Sequence, residues 1–156
     1  MKITDSVKIV QACAPATLTS TAGDGVFVDL RAVNQVAVLI DIKNGTSVTA
    51  SNISLLQGNV TGHLGKTLSF NTYYKNEDTS AGDTLTKVTA SNDSFLTLTT
   101  NSKNLQYVIN VPLENLDSAN AFCSFRVDVA NMANAVGSVS YVLETIYQPL
   151  DTSVIA

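Results

Sequence analysis

The sequence contains no tryptophan and only one histidine, and charged residues make up just 14% of its 156 residues. A typical globular domain carries about 25% charged residues. Disordered chains combine low hydrophobicity with high net charge, whereas this chain is 45% apolar with a net charge of −4. The shortage of charge therefore excludes disorder, and the length predicts one folded domain spanning residues 1–156.

Clusters of basic residues are also missing. The nine lysine and arginine side chains are scattered singly along the chain. Binding to DNA or RNA requires clustered cations that neutralise phosphates, so we expect no nucleic-acid partner. A surface that is poor in charge suits packing against protein, because charged residues are depleted from interface cores. A merely neutral, soluble surface explains the same composition equally well.

No stretch reaches the 18 or more apolar residues that a membrane helix needs, so we expect no membrane partner. A secretory signal peptide needs an apolar run of about 7–15 residues, and Asp5 and Lys8 interrupt the first segment. The tetrapeptide that ends at Cys13 resembles a lipoprotein cleavage site but lacks that run. Acylation at Cys13, which would make the chain a bacterial surface lipoprotein, is a third alternative to the functions below.

Short apolar–polar alternations separated by turn residues predict β-strands. The clearest strand is 35–42, which is apolar enough on both faces to be central. Asn44-Gly45 follows it, and this dipeptide predicts a hairpin whose returning strand covers 47–55. Residues 112–117 predict a single helical turn. Further strands are predicted at 26–30, 68–74, 84–89, 95–99, 107–111, 125–129 and 139–143.

These eight or nine strands have no amphipathic helix between them. Parallel pairing needs crossover connections of a dozen or more residues, usually helices. The fold class predicted is therefore all-β, an antiparallel β-sandwich, with a jelly roll as the favoured topology.

Two cysteines, Cys13 and Cys123, lie far apart and belong to no Cys-x-x-Cys motif. The default expectation is two buried thiols that act as small apolar side chains. A disulfide forms only if the first strand pairs near the strand that holds Cys123.

Catalytic residues are not identifiable. The single histidine, His63, lies in a glycine-flanked segment, and no serine or cysteine motif points to it as a base. A glycosidase needs two converging carboxylates, and the spacing pairs none of the three glutamates, Glu77, Glu114 and Glu144, with an aspartate. We expect no enzymatic activity and assign no catalytic residue.

Metal and cofactor sites are not identifiable either. Asp24 with Asp29, and Glu77-Asp78 with Asp83, are the best candidates for calcium, because that ion favours dense oxygen ligands. Each group reads more simply as a polar turn. No glycine-rich phosphate loop opens a helix, so no cofactor is expected.

Sugar binding is the main alternative to a structural role, since β-sandwiches often hold sugars on aromatic platforms. Neighbouring residues on a strand point to opposite faces, so one ring of Tyr73-Tyr74 can be exposed while the other lies in the core.

The order of segments resembles small virion structural proteins of tailed bacteriophages, the capsid decoration and cement-like proteins. The segments that carry the resemblance are 28–30 (VDL), 35–40 (QVAVLI), 65–70 (GKTLSF), 83–87 (DTLTK), 107–109 (YVI), Leu116-Asp117 with Phe122, and 139–143 (VSYVL) with Tyr147.

The resemblance implies a β-sandwich subunit of the virion that stabilises contacts between major capsid subunits, often as a dimer or trimer. We expect the partners to be the major capsid protein or other virion subunits, together with copies of this chain. The terminal segments 1–16 and 148–156 are predicted to reach onto neighbours as extended arms. The alternative function is a receptor- or glycan-binding module of a phage fibre or tail.

Overall fold

Two antiparallel β-sheets contain nearly all of the regular secondary structure in the computed structural model, which describes residues 7–19, 24–59, 65–146 and 153–155. Eleven strands lie in these residues. They are β1 Val7–Thr17, β2 Val28–Asp29, β3 Val33–Asn44, β4 Asn52–Asn59, β5 Lys66–Thr67, β6 Thr72–Asn76, β7 Thr86–Thr89, β8 Ser94–Leu96, β9 Asn104–Asn110, β10 Phe122–Val129 and β11 Ala135–Thr145.

The first sheet has six strands in the order β1-β11-β3-β9-β6-β7, and the second has the order β2-β10-β4-β5 with β8 also paired to β4. Strands from the beginning of the chain alternate with strands from its end, so most neighbours in a sheet are far apart in sequence. The inner faces of the two sheets meet in one apolar core.

This architecture confirms the predicted antiparallel β-sandwich. Nine of the eleven strands have three or more residues, in line with the predicted eight or nine. The jelly-roll topology stays a prediction. Within the described residues the helical structure consists of two short 3-10 segments, Leu113–Asn115 and Ser118–Asn120, and the first coincides with the predicted turn.

Strand β3 is central, as its alternation predicts. Val36, Val38, Ile40 and Ile42 are all buried in the core, and β11 and β9 flank the strand on either side. A strand with two neighbours and one core face satisfies its backbone hydrogen bonds and buries alternate side chains at once. This strand therefore anchors the six-stranded sheet.

The predicted hairpin at Asn44-Gly45 is wrong. Strand β3 belongs to the six-stranded sheet and β4 to the other, so the chain crosses between sheets at this point. The Asn44 amide is buried and donates to the carbonyls of Leu98 and Thr100, each at 2.9 Å. A Cβ on Gly45 would lie 2.7 Å from the Asn134 carbonyl oxygen, so close backbone approach requires glycine here.

Three further predicted strands have different boundaries in the structure. The predicted strand 68–74 is interrupted, because the chain passes from β5 in one sheet to β6 in the other. Leu68 and Phe70 point into the core during this crossing, which is why their apolar character resembles a strand pattern. The predicted strand 26–30 shortens to Val28–Asp29, and 47–55 starts only at Asn52.

The described parts of both chain termini pack on their own domain instead of extending from it. Residues 7–16 lie in β1, an edge strand that pairs with β11. Val154 is buried, and its carbonyl accepts a hydrogen bond from the Asp29 amide at 2.8 Å. Contact of the terminal segments with neighbouring subunits stays a prediction. Residues 1–6, 147–152 and 156 lie outside the described residues.

Aromatic rings hold the two sheets together at both ends of the core. Tyr73 of one sheet stacks on Phe95 of the other with centroids 3.8 Å apart, and Phe125 contacts Tyr141 at 4.8 Å. The Tyr141 hydroxyl accepts a hydrogen bond from the buried Val127 amide at 2.9 Å. Each ring therefore joins the sheets, and Tyr141 also satisfies a backbone donor.

Replacing Tyr141 by phenylalanine is expected to lower the free energy of unfolding by about 1–3 kcal/mol, because the buried Val127 amide loses its acceptor. Urea denaturation monitored by circular dichroism measures this difference. Tyr74→Phe, on the outer surface of the same sheet, is the matched control. Equal effects of the two substitutions would contradict the assigned role of the Tyr141 hydroxyl.

Candidate functional site

The outer face of the six-stranded sheet, which points away from the core, is apolar at its centre. Antiparallel sheets with one solvated face usually carry polar residues on it. Here six apolar side chains lie together, and we call them the apolar band. They are Ile9, Ala37, Leu39, Tyr74, Val108 and Val142.

Strand register makes the apolar band continuous. Ile9 pairs with Val142, which pairs with Ala37. One row further along the strands, Leu39 and Tyr74 both pair with Val108. Ile9 is 68% exposed, and the other five are half-buried by their neighbours on the same face.

One end of the outer face is a groove with acidic side chains. The Glu144 carboxylate lies there and accepts a hydrogen bond from the Asn34 side-chain amide at 2.9 Å. The groove has a volume of about 720 Å³, and Gln35, Asn110 and Glu114 line it as well. Amide and carboxylate oxygens are thus concentrated at this end.

The opposite end of the outer face is basic. Lys43 is exposed there and pairs in register with Val136, which is 48% exposed, and with Asn104. Between this end and the apolar band, Asp41 accepts a hydrogen bond from the Gln106 side chain at 3.1 Å. Along the strand direction the outer face therefore carries Glu144 at one end, the apolar band at its centre and Lys43 at the other end, with Asp41 between the band and Lys43.

The first two carboxylates considered as calcium ligands, those of Asp29 and Asp24, bind arginine side chains. Arg31 binds the Asp29 carboxylate through two of its nitrogens, and this hydrogen bonding holds the pKa of Asp29 below its usual value. Asp24 forms an ion pair with Arg126 at 3.2 Å. The structure does not bring Asp24 and Asp29 together as a cation site.

The second candidate calcium group, Glu77-Asp78 with Asp83, is also not assembled as a cation site. Glu77 accepts from Lys75 at 2.6 Å and from the Tyr107 hydroxyl at 3.1 Å, while Asp78 is paired with Lys103. Asp83 is exposed. Among residues 7–19, 24–59, 65–146 and 153–155, no group of three or more His, Cys, Asp or Glu side chains could hold a metal ion.

A pair of carboxyl groups lies on the outer side of the five-stranded sheet. Burial raises the pKa of Asp128, and a hydrogen bond and charge repulsion from Asp24 raise it further, although Arg126 opposes the shift. Arg126 also lies over the Phe27 ring at 5.5 Å. Asp128 therefore holds its proton to a higher pH than an isolated aspartate does.

Replacing Asp128 by asparagine is expected to raise the free energy of unfolding at neutral pH. The pKa of Asp128 is higher in the folded than in the unfolded chain, so its stabilising effect is present below about pH 4 and is lost as pH rises through the folded-state pKa. In urea denaturation across this pH range, the free energy of unfolding of the asparagine variant should increase relative to that of the parent as pH rises. A difference between the two proteins that stays constant with pH would contradict the assignment.

The two cysteines are free thiols. Cys13 is buried in β1 and Cys123 is half-buried in β10, so they lie in different sheets. The condition for a disulfide, a first strand paired beside the strand of Cys123, is not met. Burial raises the pKa of the Cys13 thiol, with a further contribution from Asp24.

The structure also shows where the tyrosines and glutamates considered from the sequence lie. Tyr73 is buried and Tyr74 lies on the outer face, as strand alternation requires. Glu114 and Glu144 both line the acidic groove, a proximity that sequence spacing did not reveal, and Glu77 lies elsewhere. His63 lies outside the described residues. No helix in the described part of the chain is long and apolar enough to cross a membrane.

Fold and surface define the chain as a two-sheet antiparallel β-sandwich with an apolar outer face. No protein-family model matches it, and neither does any curated protein. A solved structure that it resembles is the crystal structure of the SPBc2 prophage-derived protein YomS, with a TM-score of 0.46 and 13% identity. The match covers 88% of this chain and 91% of that chain.

Proposed function

We propose that the chain is a non-enzymatic structural protein of a tailed-bacteriophage virion, a capsid decoration or cement protein that stabilises contacts between major capsid subunits. The observation that carries the proposal is the apolar band on the outer face. Contiguous apolar surface on a soluble sheet is characteristic of protein-binding sites. The bacteriophage setting comes from the sequence resemblance described above.

The proposed mechanism requires no chemical step. A protein that binds only the assembled shell stabilises it by mass action, by about 2.7 kcal/mol when its concentration is 100 times its dissociation constant. Four of the carboxylates considered for calcium, those of Asp24, Asp29, Glu77 and Asp78, are paired with lysine or arginine.

Cosedimentation with empty capsids tests the proposal. The parent chain should pellet saturably with the shells, and Ile9→Lys should weaken this binding because it places a charge in the apolar band. Leu96→Lys is the matched control, since Leu96 is 65% exposed but lies on the other sheet. Absence of the parent from the pellet would overturn the proposal.

A second candidate function, binding of a glycan receptor, is favoured by the lining of the acidic groove. Asn34, Gln35, Asn110 and Glu144 present amides and a carboxylate, which are suitable partners for sugar hydroxyls. Tyr74 lies one row away on the same face. Tight, saturable binding on a glycan array that Asn110→Ala abolishes would favour this function over the first.

A further inference from the structure

The outer face is complementary in charge to itself when it is turned end for end. We propose that it binds the outer face of a second copy of this chain about a two-fold axis that runs across the strands. Lys43 of each copy then enters the acidic groove beside Glu144 of the other. This inference rests on the proposed function only in treating the outer face as protein-binding.

The register determines which axis is possible. Gln35, beside Glu144, and Lys43 are eight residues apart on β3, which is about 27 Å in an antiparallel strand. Leu39 lies midway between them in the apolar band. An axis across the strands through Leu39 places the basic end over the acidic end twice, as an isologous interface requires.

The other in-plane axis, along the strands, is disfavoured. An axis along β3 would place Lys43 of one copy over Lys43 of the other, with the two Glu144 residues about 10 Å apart across the axis. Like charges facing each other across an interface cost several kcal/mol and exclude such arrangements. The charge pattern therefore selects the arrangement that reverses the strand direction.

Neither charge is paired with an oppositely charged side chain among the residues that the structure describes. Lys43 forms no ion pair with any residue that the structure describes. Glu144 receives only the Asn34 amide among the described contacts, and no lysine or arginine lines its groove. Both side chains thus remain available for an oppositely charged group from outside.

The face is large enough for a stable interface. Six strands spaced about 4.8 Å apart span about 24 Å, and with the 27 Å length they cover about 650 Å² per copy. The total of about 1,300 Å² exceeds the roughly 1,000 Å² expected of a specific interface. Two sheets can pack face to face at about 10 Å with their strands nearly aligned.

A dimer of this kind would present each of its remaining surfaces twice. It could therefore contact two capsid subunits at once, and such bivalency can raise avidity by a factor of about 100 to 10,000. Ile9→Lys would then weaken capsid binding through loss of the dimer. A bivalent dimer could bridge two capsid subunits, as the proposed function requires.

Sedimentation velocity of the purified chain over a concentration series tests the inference. The parent should be a dimer. Lys43→Glu and Glu144→Lys should each weaken dimerisation by roughly tenfold or more, because each places like charges together at two symmetric positions. The double variant Lys43→Glu/Glu144→Lys restores both pairs with reversed charge, so it should dimerise about as tightly as the parent.

A monomeric parent, single variants that dimerise normally, or a double variant as weak as the singles would each overturn the inference. Circular dichroism of every variant controls for folding. Cosedimentation with empty capsids separates the two proposals. A monomer that binds capsids removes the inference but leaves the proposed function, and a dimer that does not bind them removes the function but leaves the inference.

Discussion

Replacing Leu39 by lysine should weaken binding through the outer face at least about a hundredfold, the scale expected when a residue at the centre of an interface is lost. Leu39 lies in the middle of the apolar band, on the central strand β3. A lysine at this position buries an unpaired charge whenever a partner covers the face. Capsid cosedimentation and sedimentation velocity measure the loss.

The same substitution should change the free energy of unfolding by no more than about 0.5 kcal/mol, as is usual for surface positions. Leu39 points away from the core, and the apolar part of a lysine side chain can cover its neighbours. Leu96→Lys on the other sheet should leave dimerisation unchanged. Loss of stability in place of loss of binding would show that Leu39 serves the fold instead of the interface.

Replacing Phe125 by alanine should lower the free energy of unfolding by about 3–5 kcal/mol. Its ring is fully buried and contacts Tyr141 across the core, at a centroid distance of 4.8 Å. The cavity would form between the two sheets, where neither backbone can easily move inward. A loss of this size is a large share of the 5–15 kcal/mol typical of a domain.

Urea denaturation measures this loss, and Phe122→Ala on the same strand is the matched control. Phe122 is only half-buried, and its ring lies beneath the Lys66 ammonium at 5.7 Å. Its replacement should cost clearly less than that of Phe125. If both variants unfolded at the same urea concentration, contact between the sheets at Phe125 would not be a main source of stability.

Local alternation predicted the strands that carry the core. On β3, Val36 to Ile42 alternate cleanly, and the presence of apolar residues on both faces correctly indicated a central strand. Side-chain period and burial are properties of consecutive residues, so they are visible in sequence. The fold class followed from such segments and from the absence of helices between them.

The connections between sheets were not predictable in this way. Asn44-Gly45 is a turn signal, but the same dipeptide serves a hairpin or a crossing between sheets. Partners more than fifty residues away decide between them, because the carbonyls of Leu98 and Thr100 satisfy the buried Asn44 amide. A local pattern contains no information about such distant partners.

The candidate site was hidden for a related reason. Leu39, Val108 and Tyr74 become neighbours only through the register of β3, β9 and β6. In the sequence, each of these residues is a single apolar residue on the outer face of a strand whose inner face already carries the core residues, so it does not stand out. The charge scarcity suggested a protein-binding surface, which stays a prediction, and its position required the pairing of strands.

A map of the whole virion at side-chain resolution would show what covers the outer face. We expect density for this chain at a joint between capsid subunits, with the apolar band around Leu39 buried against protein. A virion in which this chain is present but that face is open to solvent would contradict the account.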